Sequence, residues 1–200
     1  MTKTKRIDRH QCCGALIDVQ GFFLTQVEKR LRTRLVANTI NFIRLLNHFE
    51  IPIVATLERP VVRKGMLPPE IRRHLGDRAR LLEKNFFDLT REKEIRACLK
   101  RFGKKQVIVA GCETDVCVLQ SCLGLLDLGY EVYVVEELLF SSARHVDAAI
   151  ARMKNEGVVF VSYKTLYYEL IEAVESAQPA ASGQNSFEGP SGDIPDVAIE

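Results

Sequence analysis

At 200 residues, 46% of them hydrophobic, the chain has enough apolar material for the core of one domain. A formal net charge of +2, drawn from 28 basic and 26 acidic residues, gives no single-sign field and argues against nucleic acid or an anionic membrane as partner. No stretch approaches the eighteen or so apolar residues of a spanning helix, which argues against a membrane protein.

Met1 to His10 is polar and basic, with no signal-peptide core before Asp18, so a cytoplasmic protein is expected. Its six cysteines lie inside strand- and helix-like segments and are expected as free thiols rather than a disulfide framework.

Cys13 to Val19 is an apolar run ending in Asp-Val-Gln and then Gly21, the punctuation of a buried strand that stops. From about Gln26 to Glu50, Leu31, Leu35, Phe42, Ile43, Leu46 and Phe49 recur at three- and four-residue intervals, the pattern of a long amphipathic helix. Ile51 to Leu57 is β-branched and strand-like. Pro60, Gly65, Pro68 and Pro69 make Arg59 to Gly76 an extended loop with a short helix near its end.

A brief third strand is expected at Leu81 to Glu83, then a helix from Arg91 to Phe102 closed by Gly103. Gln106 to Ala110 reads as a buried strand, Asp115 to Leu128 as a helix ended by Gly129, and Glu131 to Val135 as the next strand. A helix from about Arg144 to Asn155, a strand at Val158 to Val161 and a last helix to about Val174 complete residues 1–177. The stretch 178–200, rich in Pro, Ser and Gly, buries too little apolar surface to offset its ordering entropy and is expected to be disordered.

Strands alternating with helices imply a three-layer α/β/α fold around a mostly parallel sheet of about six strands in Rossmann-like order. In such sheets ligands bind beyond the carboxyl ends of the strands. Those ends carry Asp18 and Gln20, Glu58 and Arg59, Lys84, and the run Gly111-Cys112-Glu113-Thr114-Asp115-Val116-Cys117-Val118. Cys117 would sit in the first turn of a helix, where unpaired N–H groups and the positive dipole end favour a thiolate, so a lowered pKa is expected. The same amides suit an oxyanion. Cys12, Cys13, Cys98 and Cys122 read as small core residues, and the basic run from Arg59 through Arg63 and Lys64 to Arg80 reads mostly as solvated surface.

Three blocks, Leu16-Ile17-Asp18-Val19-Gln20, Glu83-Lys84-Asn85-Phe86-Phe87 and Gly111 to Val118, followed by Gly129-Tyr130-Glu131-Val132, resemble the isochorismatase-like hydrolase superfamily in order and spacing. The resemblance spans roughly Cys13 to Tyr168 and implies a catalytic triad: Cys117 as nucleophile, Asp18 as the base that takes its proton, and Lys84 as the cation that orients Asp18. It also implies a cis peptide at Cys112–Glu113, with the amides of Glu113 and Cys117 directed at the oxyanion. Homo-oligomers are common in the superfamily, and one is expected here.

Where nicotinamidases of this superfamily carry a metal-binding Asp-x-His, this chain reads Thr56-Leu57-Glu58-Arg59-Pro60. Its four histidines form no close pair and its cysteines lack zinc-finger spacing, so neither a metal nor a cofactor is expected. The resemblance thus implies metal-independent cleavage of a C–N bond in a small amide, imide or ureido compound through a Cys117 thioester. Two alternatives stand beside it: an isochorismatase-type ether hydrolase using Asp18 as acid, and a non-catalytic redox sensor with Cys112 as resolving partner. Gln20, Phe23, Glu58, Arg59 and Phe87 are the candidate contacts to a small-molecule substrate, although the aromatics equally suit the core.

Overall fold

The computed structural model describes residues 4–173; the predicted disordered stretch 178–200 lies outside them. Six strands form one sheet: β1 (Cys12–Ile17), β2 (Ile53–Glu58), β3 (Ala79–Lys84), β4 (Gln106–Gly111), β5 (Glu131–Leu139) and β6 (Val159–Val161). Their order is β3-β2-β1-β4-β5-β6 and every pairing is parallel. The chain builds outward from β1 in one direction, then returns to its other side with β4. The switch point therefore lies between the carboxyl ends of β1 and β4.

Side-chain alternation divides the core. Cys12 and Leu16 of β1, Ile108 of β4 and Tyr133 of β5 pack in one cluster, while Cys13, Ala15, Ile17, Val107, Val109 and Val132 pack in the other. The first cluster is covered by helices α2 (Lys29–His48) and α8 (Tyr163–Ile171), through residues such as Phe42, Leu46, Leu166 and Leu170. The second is covered by α5 (Lys93–Phe102), α6 (Leu119–Asp127) and α7 (Asp147–Asn155), through Ile95, Leu99, Cys122, Leu125 and Met153. Burying each Leu, Ile or Phe is worth about 1.5–3 kcal/mol, so the two faces together hold the sheet between its helices.

Strand-end punctuation moved several boundaries. Two four-residue helices, α1 (Gly21–Leu24) and α3 (Val61–Lys64), and a third, α4 (Pro69–Arg72), occupy segments expected as loop or as a single short helix. They are too short to show a hydrophobic period. A 3-10 turn at Leu89–Arg91, capped by Asp88 accepting from the Thr90 N–H at 2.8 Å, precedes α5. Strand β5 runs four residues past the expected Val135, because Leu139 still pairs with Gly111 across a register shift in β4.

Candidate active site

Four neighbouring strands each deliver one group to the carboxyl edge of the sheet. Glu58 and Lys84 are paired in register as the last residues of β2 and β3. With a two-residue period, Val54, Thr56 and Glu58 face the α5–α6 side, the side on which Cys117 is packed. Asp18 follows β1 with φ 50°, a left-handed conformation that turns its side chain back over the strand end.

Cys117 lies in a π-helical turn (Thr114–Val118) between β4 and α6, where a single continuous helix was expected. Within that turn the Glu113 carbonyl accepts from the N–H of Val116 at 3.2 Å and of Val118 at 3.0 Å. The Glu113 carboxylate in turn accepts from Ser141 Oγ at 2.7 Å and from the Ser142 N–H at 2.8 Å, tying the turn to the segment after β5. The Cys112–Glu113 peptide is cis.

These elements bring Asp18, Glu58, Lys84 and Cys117 into one buried cluster. Lys84 Nζ lies 2.7 Å from Asp18 Oδ2 and 3.4 Å from Glu58 Oε2, and donates to Cys117 Sγ at 3.4 Å. The Cys117 thiol donates to Glu58 Oε2 at 2.9 Å. Thr56 Oγ1 donates to Asp18 Oδ1 at 2.7 Å, and the other Glu58 oxygen pairs with Lys64 of α3. Asp18 and Lys84 are 0% exposed and Cys117 1%, so the charges meet out of water.

The electrostatics follow from that burial. Desolvation pushes the Asp18 carboxyl up, against the opposing pull of Lys84 and the Thr56 hydrogen bond. Desolvation opposes the Lys84 charge, but the negative charges of Asp18 and Glu58 outweigh it and hold the ammonium above its ordinary range. Glu58 is also desolvated, yet the hydrogen bonds from Cys117 and Lys64 and the charge of Lys84 leave it below the usual carboxylate range.

Cys117 goes the other way from the sequence expectation: burial first, then the charges of Asp18 and Glu58, raise its thiol instead of lowering it. A helix N-terminus contributes about half a positive charge, which is too little against desolvation and two carboxylates.

The remaining candidates divide. The Gln20 side chain donates to the carbonyls of Glu58 (3.3 Å) and Gly65 (2.6 Å) and accepts from the Glu58 N–H (2.7 Å), binding the β1 and β2 ends to the loop after α3. Arg59 points the opposite way along the strand and pairs with Glu83 at 2.7 Å on the surface, away from the cluster. Phe23 is packed in the core with Lys64 Nζ 5.5 Å from its ring centroid, whereas Phe87 is 49% exposed.

Glu58 was read from the sequence only as a substrate contact, because nothing in Thr-Leu-Glu-Arg-Pro says that its carboxylate reaches the sulfur of another element. Asp18, Glu58 and Cys117 also place ligand atoms within 4.8 Å of one another, a grouping able to hold a cation. The Lys84 ammonium stands among those three groups and supplies that positive charge.

Residues 15–165 match the model of the isochorismatase domain family. A secreted isochorismatase effector, Isc1, of Phytophthora sojae is 31% identical over 84% of this chain and 81% of its own length. Among solved structures, the YcaC gene product of Escherichia coli, described as an octameric hydrolase of unknown specificity, superposes with a TM-score of 0.80 at 23% identity, covering 88% of this chain and 86% of that one. YcaC from Pseudomonas aeruginosa, determined with hexane-2,5-diol and covalent acrylamide, gives 0.79 at 24% identity, over 88% and 87% of the two chains. The matched span runs from β1 into α8 and takes in all four strand ends that build the cluster, and on that match the chain belongs to the isochorismatase family.

Proposed function

We propose that the protein is a cysteine hydrolase that cleaves the C–N bond of a small amide, imide or ureido compound through a thioester at Cys117. The observation that carries this reading is the sulfur itself, held between the Lys84 ammonium at 3.4 Å and the Glu58 carboxylate at 2.9 Å. That arrangement combines a nucleophile, a proton acceptor and a fixed positive charge. Sulfur attacks the carbonyl carbon and the C=O electron pair moves to oxygen, where the amides of Glu113 and Cys117 and the Lys84 charge stabilise it. Collapse breaks the C–N bond, and water then displaces sulfur from the thioester.

Asp18, held beside Lys84, is the proton-transfer group for the water step. Lys84 supplies the cation, which supports a reaction without a metal. Covalent acrylamide on the Pseudomonas relative supports a reactive nucleophile within this fold, since acrylamide is captured by addition to its C=C bond.

A second reading, ether hydrolysis with Asp18 as acid, is favoured by the likeness to the Phytophthora relative, which is named an isochorismatase effector. The two separate in Cys117→Ala. Loss of hydrolysis across a panel of small amides, by at least about 10³-fold, is expected for the thioester route. An unchanged rate on the true substrate would sink it.

We also infer self-association. Phe22, Val62, Met66, Phe86 and Phe87, all exposed, follow the carboxyl ends of three adjacent strands, and the Escherichia coli relative is an octamer. Light scattering that found a monomer alone would reject it.

A further inference from the structure

Two carboxylates border the Cys117 sulfur, and they are bonded differently. Asp18 accepts from Thr56 through Oδ1, and its Oδ2 is ion-paired with Lys84 but meets no hydrogen-bond donor in good geometry among the described residues. Glu58 accepts the thiol hydrogen directly, 2.9 Å away, while its other oxygen is held by Lys64. Gln20 pins the Glu58 backbone at both its N–H and its carbonyl, so the carboxylate has little freedom to leave the sulfur. A candidate base is judged first by its reach to the proton.

We propose that Glu58 is a catalytic residue: it takes the Cys117 proton during acylation and returns it to the leaving nitrogen. The proposal rests on the reading that Cys117 is the nucleophile. As the S–H bond breaks, its electron pair stays on sulfur and forms the C–S bond, and the proton passes to Glu58 Oε2. When the C–N bond breaks, the nitrogen carries off its electron pair and receives that proton, leaving Glu58 ionised again. In the second half Asp18 takes a proton from the attacking water and gives it to the departing sulfur, so each half-reaction closes on the starting protonation states. This division suits the environment, because burial keeps the resting thiol protonated and a base within reach must release it. Lys64 and Lys84 keep Glu58 ionised and ready to receive.

Alkylation of Cys117 by iodoacetamide, followed by peptide mass spectrometry from about pH 5 to pH 10, tests this in the full chain without knowledge of the substrate. The groups facing the thiol are Glu58, Asp18 and Lys84, with Lys64 behind Glu58. In the wild type the rate should stay level through neutral pH and fall only where Glu58 becomes protonated.

In Glu58→Gln, which preserves shape but cannot take a proton, the neutral rate should fall about 10²-fold and climb tenfold per pH unit. Glu58→Asp, shortened by one carbon, should keep the level profile at a rate at least about tenfold lower, and it carries the test if Glu58→Gln fails to fold.

A mere charged neighbour predicts the opposite sign, because deleting its negative charge eases thiol ionisation. Alkylation of Glu58→Gln as fast as or faster than wild type, or an unchanged rate in Glu58→Asp, would overturn the proposal. That result leaves Cys117 as nucleophile, whereas full hydrolysis by Cys117→Ala removes both readings.

Discussion

Asp18, Lys84 and Glu58 show how far single residues could be read in advance. Asp18 and Lys84 stand at the ends of recognisable strands, and the cluster brings them within 2.7 Å of each other. Glu58 stands at such an end too, but its partner is a sulfur on a turn after the fourth strand, and no spacing in the sequence encodes a 2.9 Å contact between them. The thiol ran against expectation for a related reason. A helix start is visible in sequence, whereas the burial and the two carboxylates that outweigh it are not. Arg59 lies one residue, half a strand period, beyond Glu58, so it faces the other side, where Glu83 meets it.

At the scale of elements, the approach of β1 to β4 depends on Gly111. Its φ is +127°, and a Cβ placed there would lie 2.0 Å from the Ile17 carbonyl oxygen, which accepts the Cys112 N–H at 3.0 Å. Only glycine lets the two strand ends close to that distance, and they carry Asp18 on one side and the Cys117 turn on the other. Gly111→Ala should cost at least about 3 kcal/mol in denaturant unfolding and lower activity more than stability alone accounts for. A loss under about 1 kcal/mol would mean the strand ends have room to part.

The helix expected from Asp115 to Leu128 was correct in place but not in kind. A wider π-helical turn, Thr114–Val118, takes the place of its start, a geometry that shares its composition with an α-helix and so leaves no signature in the residues themselves.

For the molecule as a whole, six cysteines lie inside the two cores and none is disulfide-bonded. Burial raises every one of them, Cys12 and Cys13 from 9.0 to about 12. Such thiols stay protonated in the folded state at a pH where the unfolded chain has lost its protons. The unfolded state then binds fewer protons, so stability is fully present below about pH 9 and falls as pH rises towards the folded values. Each thiol contributes up to about 1.4 kcal/mol per pH unit over that window. Guanidinium unfolding midpoints at about pH 7, 9 and 10.5 should decline along this series, and Cys122→Ala should flatten the decline. Equal midpoints throughout would show that the thiols ionise in place.

Alternation of apolar runs with amphipathic helices was sufficient, in the sequence alone, to determine a parallel three-layer sheet and to locate the edge where chemistry gathers, because backbone hydrogen bonding and two-sided burial leave few other arrangements. The position of Asp18, Lys84 and Cys117 at that edge was legible for that reason, as was that of Gln20, Glu58 and Arg59, and the resemblance of the three sequence blocks alone singled out the first three. Which carboxylate touches the sulfur, how deeply the charges are buried and therefore where the protons rest were decided only by tertiary structure. Those properties depend on strand register, side-chain reach and dielectric, and all three arise when distant segments meet.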